Sequence, residues 1–374
     1  MATFALVGCG GTAVSEFDAS TAEEPCEASN ASSACVGQAP ATLHLLPDER
    51  NLGVLTATAG IAVVGWDAER LATAFVGPTG YDTPSPDDKL LGCTVTGAPR
   101  SVFLGSRQLN AKTRLWDFTE PFGWVAGPDG SAPILGASCG DVDGDGLDDL
   151  VGLWTPDDEL RLFRGSERFG SGWETSVDLS EAGVPSYVTM LVDLDGDGAV
   201  ELVLSSLDEP MIHVISDLAE GATARSVRWD PGVAQIGALH GVEGTLQLVW
   251  VGSNTDGTGV LGAHALDGAF EPLTDEVFET VSAPNRVFVA DIDGDGMRDA
   301  LVASMPGAEY VVHVGSDTGG FSPGGTIELP SDVLDLALGD FDGDGYQDLA
   351  SLPAGTDQLM VVWGDGALLA SDGS

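Results

Sequence analysis

The chain has 374 residues, with 59 acidic side chains against 14 basic ones and a formal net charge of −45. That balance excludes nucleic-acid binding, which depends on Lys and Arg meeting phosphates. No stretch reaches the roughly 18 consecutive apolar residues of a membrane span, so membrane contact is expected only through an anchor.

The chain opens on an apolar run that ends in Leu6-Val7-Gly8-Cys9. This resembles a bacterial lipobox, in which the cysteine becomes the lipidated first residue. It lacks a basic n-region, and its apolar run is short for a signal segment. The reading is a signal or lipobox remnant over 1–9, an exported protein held at the outer membrane or cell surface through Cys9, or otherwise secreted. Gly8-Cys9-Gly10-Gly11-Thr12-Ala13 also fits a loose dinucleotide-binding pattern, but that pattern needs an amphipathic helix and a βαβ unit around it. The succeeding segment is instead small, acidic and aperiodic, so 10–40 is expected to be a flexible acidic tether. Cys26 and Cys35 are spaced to close a small loop there. Cys93 and Cys139 read equally as a bridge, in an oxidising compartment, or as two buried small hydrophobes.

From residue 41 onward one pattern dominates. Asp141 opens DVDGDGLDDL, Asp193 opens DLDGDGAVEL, Asp291 opens DIDGDGMRDA and Asp340 opens DFDGDGYQDL. Each copy has carboxylates at positions one, three, five and nine and glycines at four and six. Hard cations such as Ca²⁺ take six to eight oxygen ligands, and glycine allows the positive φ angles that curl a short loop around one point. An EF-hand is excluded, because position twelve is Gly152, Leu204, Val302 or Ser351 where a bidentate Glu is required. Apolar, β-forming runs flank each copy, so the unit is strand, acidic loop, strand.

The four loop starts lie 52, 98 and 49 residues apart, and the long interval is two periods. A repeat without ligands therefore falls at His240–Val249, and two more step back to Cys93 and Leu45. About 20 residues after each start comes another β-rich run, as at 62–65, 160–165, 211–215, 311–315 and 360–364. Four short antiparallel strands in a repeat of this length are a propeller-blade signature. The expected fold is all-β: a seven-bladed β-propeller of four-stranded antiparallel blades over 41–374, three of them without ligands. Either the Ala367–Ala370 run or an N-terminal segment completes the seventh blade.

The motif DxDGDGxxDL, with a downstream turn such as VGSDTGGF, resembles the FG-GAP or VCBS repeat of integrin-α-like propellers. The resemblance is strong at four repeats and rests on register alone at three. It implies cation ligation through positions one, three, five and nine and the carbonyl of position seven. The implied ligands are Asp141, Asp143, Asp145, Leu147 and Asp149, then Asp193, Asp195, Asp197, Ala199 and Glu201. They continue with Asp291, Asp293, Asp295, Met297 and Asp299, and with Asp340, Asp342, Asp344, Tyr346 and Asp348. Glu201 departs from the pattern but still supplies a carboxylate. About four structural Ca²⁺ ions are implied, bracing one face rather than forming a ligand surface.

Other candidates for chemistry are weaker. Gly136-Ala137-Ser138-Cys139-Gly140 fits G-x-S-x-G, yet Ser138 precedes an acidic loop where a nucleophile elbow needs a helix. His213 and His313 fall at similar places on predicted third strands, and His44, His240 and His264 show no metal-ligand spacing. Trp66, Trp116 and Trp363 read as packing between blades. The expected function is a monomeric, non-catalytic binding or adhesion module, with a protein or glycan partner on the face opposite the calcium loops. The alternative is a carbohydrate-active propeller, either a lectin or a polysaccharide lyase. The scarcity of Lys and His weighs against a lyase.

Overall fold

The structure is a computed structural model that describes 28 strands. It also describes residues 70, 141–148, 164, 200, 218, 254, 256–258, 280–285, 291–298, 304, 307, 309, 316–320, 329, 332, 340–347, 354–357, 363 and 364. The strands pair into seven four-stranded antiparallel sheets, spanning 40–76, 89–125, 134–178, 186–228, 232–279, 286–327 and 333–362 in chain order. Among the described residues there is no helix. Short apolar runs cut every few residues by Gly, Asp and Pro leave strands and turns as the local choice. The expected repeat is realised at all seven starts, including the three without ligands.

The first six sheets order their strands as the chain runs, but the seventh does not. Its order is Ser33–Cys35, Gln358–Val362, Asp348–Pro353, Val333–Gly339. Ser33 pairs with Met360, Ala34 with Leu359 and Cys35 with Gln358. Three residues of the segment expected as tether therefore form the last sheet's outer strand, which corrects that boundary. The physical reason is that Gln358–Val362 would otherwise leave a row of backbone groups unpaired. The small residue Ala34 fits the closing core at 2% exposure. The Ala367–Ala370 run and residues 1–32, Cys9 and Cys26 among them, lie outside the described residues.

The core sits between sheets. Val142, Val151 and Leu162 of the third sheet and its loop pack with Leu202, Leu204 and Ile215 of the fourth. Val249, Val251 and Leu261 of the fifth pack with Val287, Ala300 and Val302 of the sixth. Leu301 and Val312 of the sixth pack with Val333, Leu336 and Leu349 of the seventh. Ala350, Leu352 and Val361 of the seventh then pack with Leu52, Val54 and Val64 of the first. The last sheet thus packs against the first. Trp66 and Trp363 meet edge to face across that seam, with centroids 4.7 Å apart, so both are packing residues as expected. The side chain of Trp116 lies outside the described residues.

Within the fifth sheet Trp250 is buried and stacks on His264, with centroids 5.6 Å apart. Gly262 lies opposite Trp250 in the ladder, and a Cβ there would run into the indole ring. Gly262→Ala is expected to cost about 1–3 kcal/mol through overpacking. Denaturant unfolding checks this, and an unchanged midpoint would show that the indole can move aside.

Candidate metal centres

The acidic loops connect the first two strands of the third, fourth, sixth and seventh sheets. Each fills eight residues between strands, as in Arg286–Ala290 and Asp299–Ala303, and position nine opens the next strand. The glycines at positions four and six take positive φ: 75° and 87° at Gly144 and Gly146, 78° and 88° at Gly294 and Gly296, 81° and 95° at Gly343 and Gly345. An L side chain is strained in that region, which is why the spacing of the two glycines is fixed.

Position one is the hub. Asp291 accepts the N–H groups of Gly294 (2.8 Å) and Gly296 (3.0 Å), and Asp340 accepts those of Gly343 and Gly345. Asp141 does the same for Gly144 and Gly146. Position five accepts the N–H of position seven, from Leu147, Met297 and Tyr346. Carboxylate oxygens therefore converge within 4.8 Å of one another in three sets: Asp141, Asp143 and Asp149; Asp291, Asp293 and Asp295; Asp340, Asp342 and Asp344. Oxygens about 2.3–2.6 Å from a shared calcium ion lie at most about 5 Å apart, so the three sets fit such an ion. In the second loop, Asp193, Asp195, Asp197 and Ala199 lie outside the described residues, whereas Glu201 is buried at the start of its strand.

Position nine has a role that sequence reasoning missed. Asp149, Asp299 and Asp348 are at most 1% exposed and all three hold backbone, and of them Asp149 alone belongs to its loop's converging set. Asp299 Oδ2 accepts the N–H groups of Ile292 (2.8 Å) and Asp293 (3.1 Å), and its Oδ1 accepts that of Gly315 (2.9 Å). Asp348 accepts those of Phe341 and Gly364, both at 2.8 Å, and Asp149 accepts that of Val142 at 2.9 Å. One carboxylate ties the loop's start to the end of the third strand. Position two was missed as well: Val142, Ile292 and Phe341 are buried in the core between successive sheets. The signal was an apolar residue at that place in every copy.

Position nine also explains the fifth sheet. Val242 pairs directly with Thr245 there, so the loop is reduced to a two-residue connection. Leu248 faces His264 as Ala300 faces His313, which puts Gln247 where the buried carboxylate stands elsewhere. Its Nε2 donates to the carbonyl of Gly319 at 2.5 Å, joining the fifth sheet to a turn of the sixth. A neutral amide has replaced a buried acid at the one described loop position that lost its acidic neighbours. The same registers show that His264 and His313, rather than His213 and His313, are equivalent residues.

Burial dominates the electrostatics. It pushes the Asp348 carboxyl up to about 6, helped by the charges of Asp342 and Asp344 and opposed by the bonds from Gly364 and Phe341. Asp299 and Asp293 are raised chiefly by burial too. A carboxyl whose folded pKa exceeds its unfolded value favours the folded state when protonated. In chelator, stability is therefore expected to rise as pH falls from about 7 through about 6 toward 4. With calcium the trend reverses, because the ligands must be deprotonated. Thermal melts at about pH 7 and pH 5, with and without chelator, check the sign.

The remaining sequence candidates resolve as packing. Ser138 lies in the strand Ile134–Gly140 and its hydroxyl accepts the N–H of Leu191 from the next sheet at 3.1 Å, with no elbow around it. His213, His264 and His313 are buried, and His313 bonds Thr280 Oγ1 through Nε2 at 3.1 Å. The side chains of His44 and His240 lie outside the described residues. Cys139 is disulfide-bonded, so the bridge reading holds for that residue. The side chains of Cys35 and Cys93 lie outside the described residues.

Residues 115–204 and 291–351 match the FG-GAP-like repeat family. Both matched stretches carry two acidic loops, and the loopless fifth sheet falls between them. The chain carries FG-GAP-like repeats in a β-propeller fold. No curated protein matches it. Among solved structures, it is similar to the Cps50 (Swd1) β-propeller domain of Myceliophteria thermophila, with 14% identity and a TM-score of 0.53 over 90% of this chain and 99% of that one. It is also similar to Raptor from Chaetomium thermophilum, with 15% identity and a TM-score of 0.55 over 88% of this chain and 28% of that one. At such identities the likeness establishes the fold alone.

Proposed function

We propose that the seven sheets are the blades of a seven-bladed propeller, that the acidic loops hold structural Ca²⁺, and that the protein is an exported, monomeric, non-catalytic binding or adhesion module. The observation that carries this reading is the division of the sheets into two edges. First-to-second strand turns hold the oxygen-only clusters at one edge, and second-to-third strand turns open at the other. When bound, calcium neutralises the converging carboxylates and fixes the first edge. Asp141, Asp143 and Asp149, Asp291, Asp293 and Asp295, and Asp340, Asp342 and Asp344 would hold it in the described loops, with the second loop contributing its own set. The disulfide at Cys139 supports an oxidising compartment, and Cys9 would supply a lipid anchor.

The partner, a protein or glycan, is assigned to the second edge. Loops on a rigid scaffold carry binding function, and the turns at 256–258 and 354–357 are described members of that set. Asp256 is held below its ordinary value there by hydrogen bonds from Thr258. Surface-retention and glycan-array assays test the assignment, comparing the parent with alanine clusters at 256–258 and 354–357. Binding that survives both clusters but is lost on mutating the acidic loops, with the fold intact, would move the partner to the calcium edge. Turnover of an acidic polysaccharide would favour the lyase alternative.

A further inference from the structure

The three described acidic loops share one pattern, but the first is wired differently. In the third and fourth loops the position-three carboxylate accepts the N–H of position five, from Asp295 to Asp293 and from Asp344 to Asp342, both at 3.1 Å. In the first loop the Asp145 N–H turns to Asp141 instead, at 3.1 Å. Asp143 Oδ2 pairs with the guanidinium of Arg164. Arg164 directly follows the strand Glu159–Phe163, one residue beyond the Leu150–Phe163 pair. The same register beside the other loops holds Ser216, Val314 and Trp363, none of them charged. The converging oxygens differ accordingly, from positions one, three and nine in the first loop and from one, three and five in the others.

We infer that Arg164 is a built-in counter-ion that makes the first loop a weaker calcium site than the third and fourth, so that the loops fill in order and the first fills after those two. The inference rests on the calcium reading of these loops. A guanidinium stays charged at any working pH. Its weight lies in where it sits rather than in the loop's total charge, since Asp148 adds a fifth carboxylate here and Arg298 stands at the matching position of the third loop. It pairs with Asp143, a member of the converging set, and so competes with the ion for that carboxylate and sets a positive charge beside the ion's place. In exchange it relieves carboxylate repulsion when no ion is bound. Both partners are about a quarter exposed, so solvent screens the pair. The expected effect is an affinity lowered about two- to fivefold rather than abolished.

Calorimetric calcium titration of the wild-type protein, R164Q, R164K and D143N, with bound calcium counted by mass spectrometry, tests this. The wild type is expected to show a tight class of sites and a weaker one. R164Q tightens the weaker class about two- to fivefold at unchanged stoichiometry, R164K stays close to wild type, and D143N loses one equivalent from the weaker class. An R164Q isotherm that superimposes on the wild type overturns the inference. So does weaker binding in R164Q, which would make Arg164 a residue that positions Asp143 for the ion. Wild-type protein that takes up no calcium at all refutes the calcium reading itself, and the inference with it.

Discussion

Chelation is expected to lower the thermal midpoint by roughly 10 °C or more, with recovery on adding calcium but not magnesium. A ligand that binds only the folded state stabilises it by about 2.7 kcal/mol per site at a hundredfold excess over its Kd. Several such sites together approach the whole stability of a typical domain. The loops also have reason to need the ion. Three sets of carboxylate oxygens converge within 4.8 Å, and Asp348 and Asp299 are buried acids with raised pKa values. Magnesium demands near-octahedral geometry and holds its waters, so a set of this kind suits the larger ion. Melts with and without chelator, beside a metal count, decide the matter. A midpoint indifferent to chelator, with no calcium bound, would mean that the backbone bonds of positions one and nine hold the loops unaided.

Asp299→Ala is expected to be among the most damaging single changes, at about 3–5 kcal/mol even in chelator. The side chain is fully buried and accepts three backbone N–H groups, from Ile292, Asp293 and Gly315. Removing it leaves buried donors without partners, and each of these costs about 1–3 kcal/mol. Asp299→Asn keeps an acceptor oxygen and is expected to fall between Ala and wild type. Asp295→Asn is the contrast, because that residue is exposed and its one loop bond, to the Met297 N–H, can be kept by an amide oxygen. It is expected to be nearly silent in chelator and to weaken calcium binding. Denaturant unfolding of the three variants, with and without calcium, separates the two roles. A cost below about 1 kcal/mol for Asp299→Ala in chelator would refute the bridging role of position nine.

The repeat, its period and the acidic loops were legible because the loop imposes several constraints on adjacent residues at once. Gly144 and Gly146 must reach positive φ, and Asp141 and Asp145 must accept the loop's own N–H groups, so few other residues satisfy the same ten positions. The sheets without loops were legible only by counting, yet Lys89–Cys93 and Thr245–Ser253 fall where the period put them. What escaped was held by contacts distant in sequence. The partner of Asp299 at Gly315 and the pairing of Asp143 with Arg164 leave no local signature. Gln247 was hidden because shortening the turn shifted its register by one. The strand Ser33–Cys35 was foreseen only as an unplaced N-terminal segment, because three small residues carry no periodicity and their acidic surroundings read as solvent-exposed chain.

That short strand has a consequence for how the molecule is made and how it fails. The pairing of Ala34 with Leu359 joins residues 325 positions apart (359 − 34), so closure must wait until Gln358–Val362 has been made and is an entropically demanding contact to form. Until then the edge of Gln358–Val362 offers an unpaired row of backbone groups to any strand nearby. A second copy's Ser33–Cys35 fits that edge as well as its own does. At high concentration during refolding, exchange of this one strand between molecules is the natural route to dimers and longer chains. A product trimmed beyond Cys35 would keep six sheets intact while carrying a permanently open seventh.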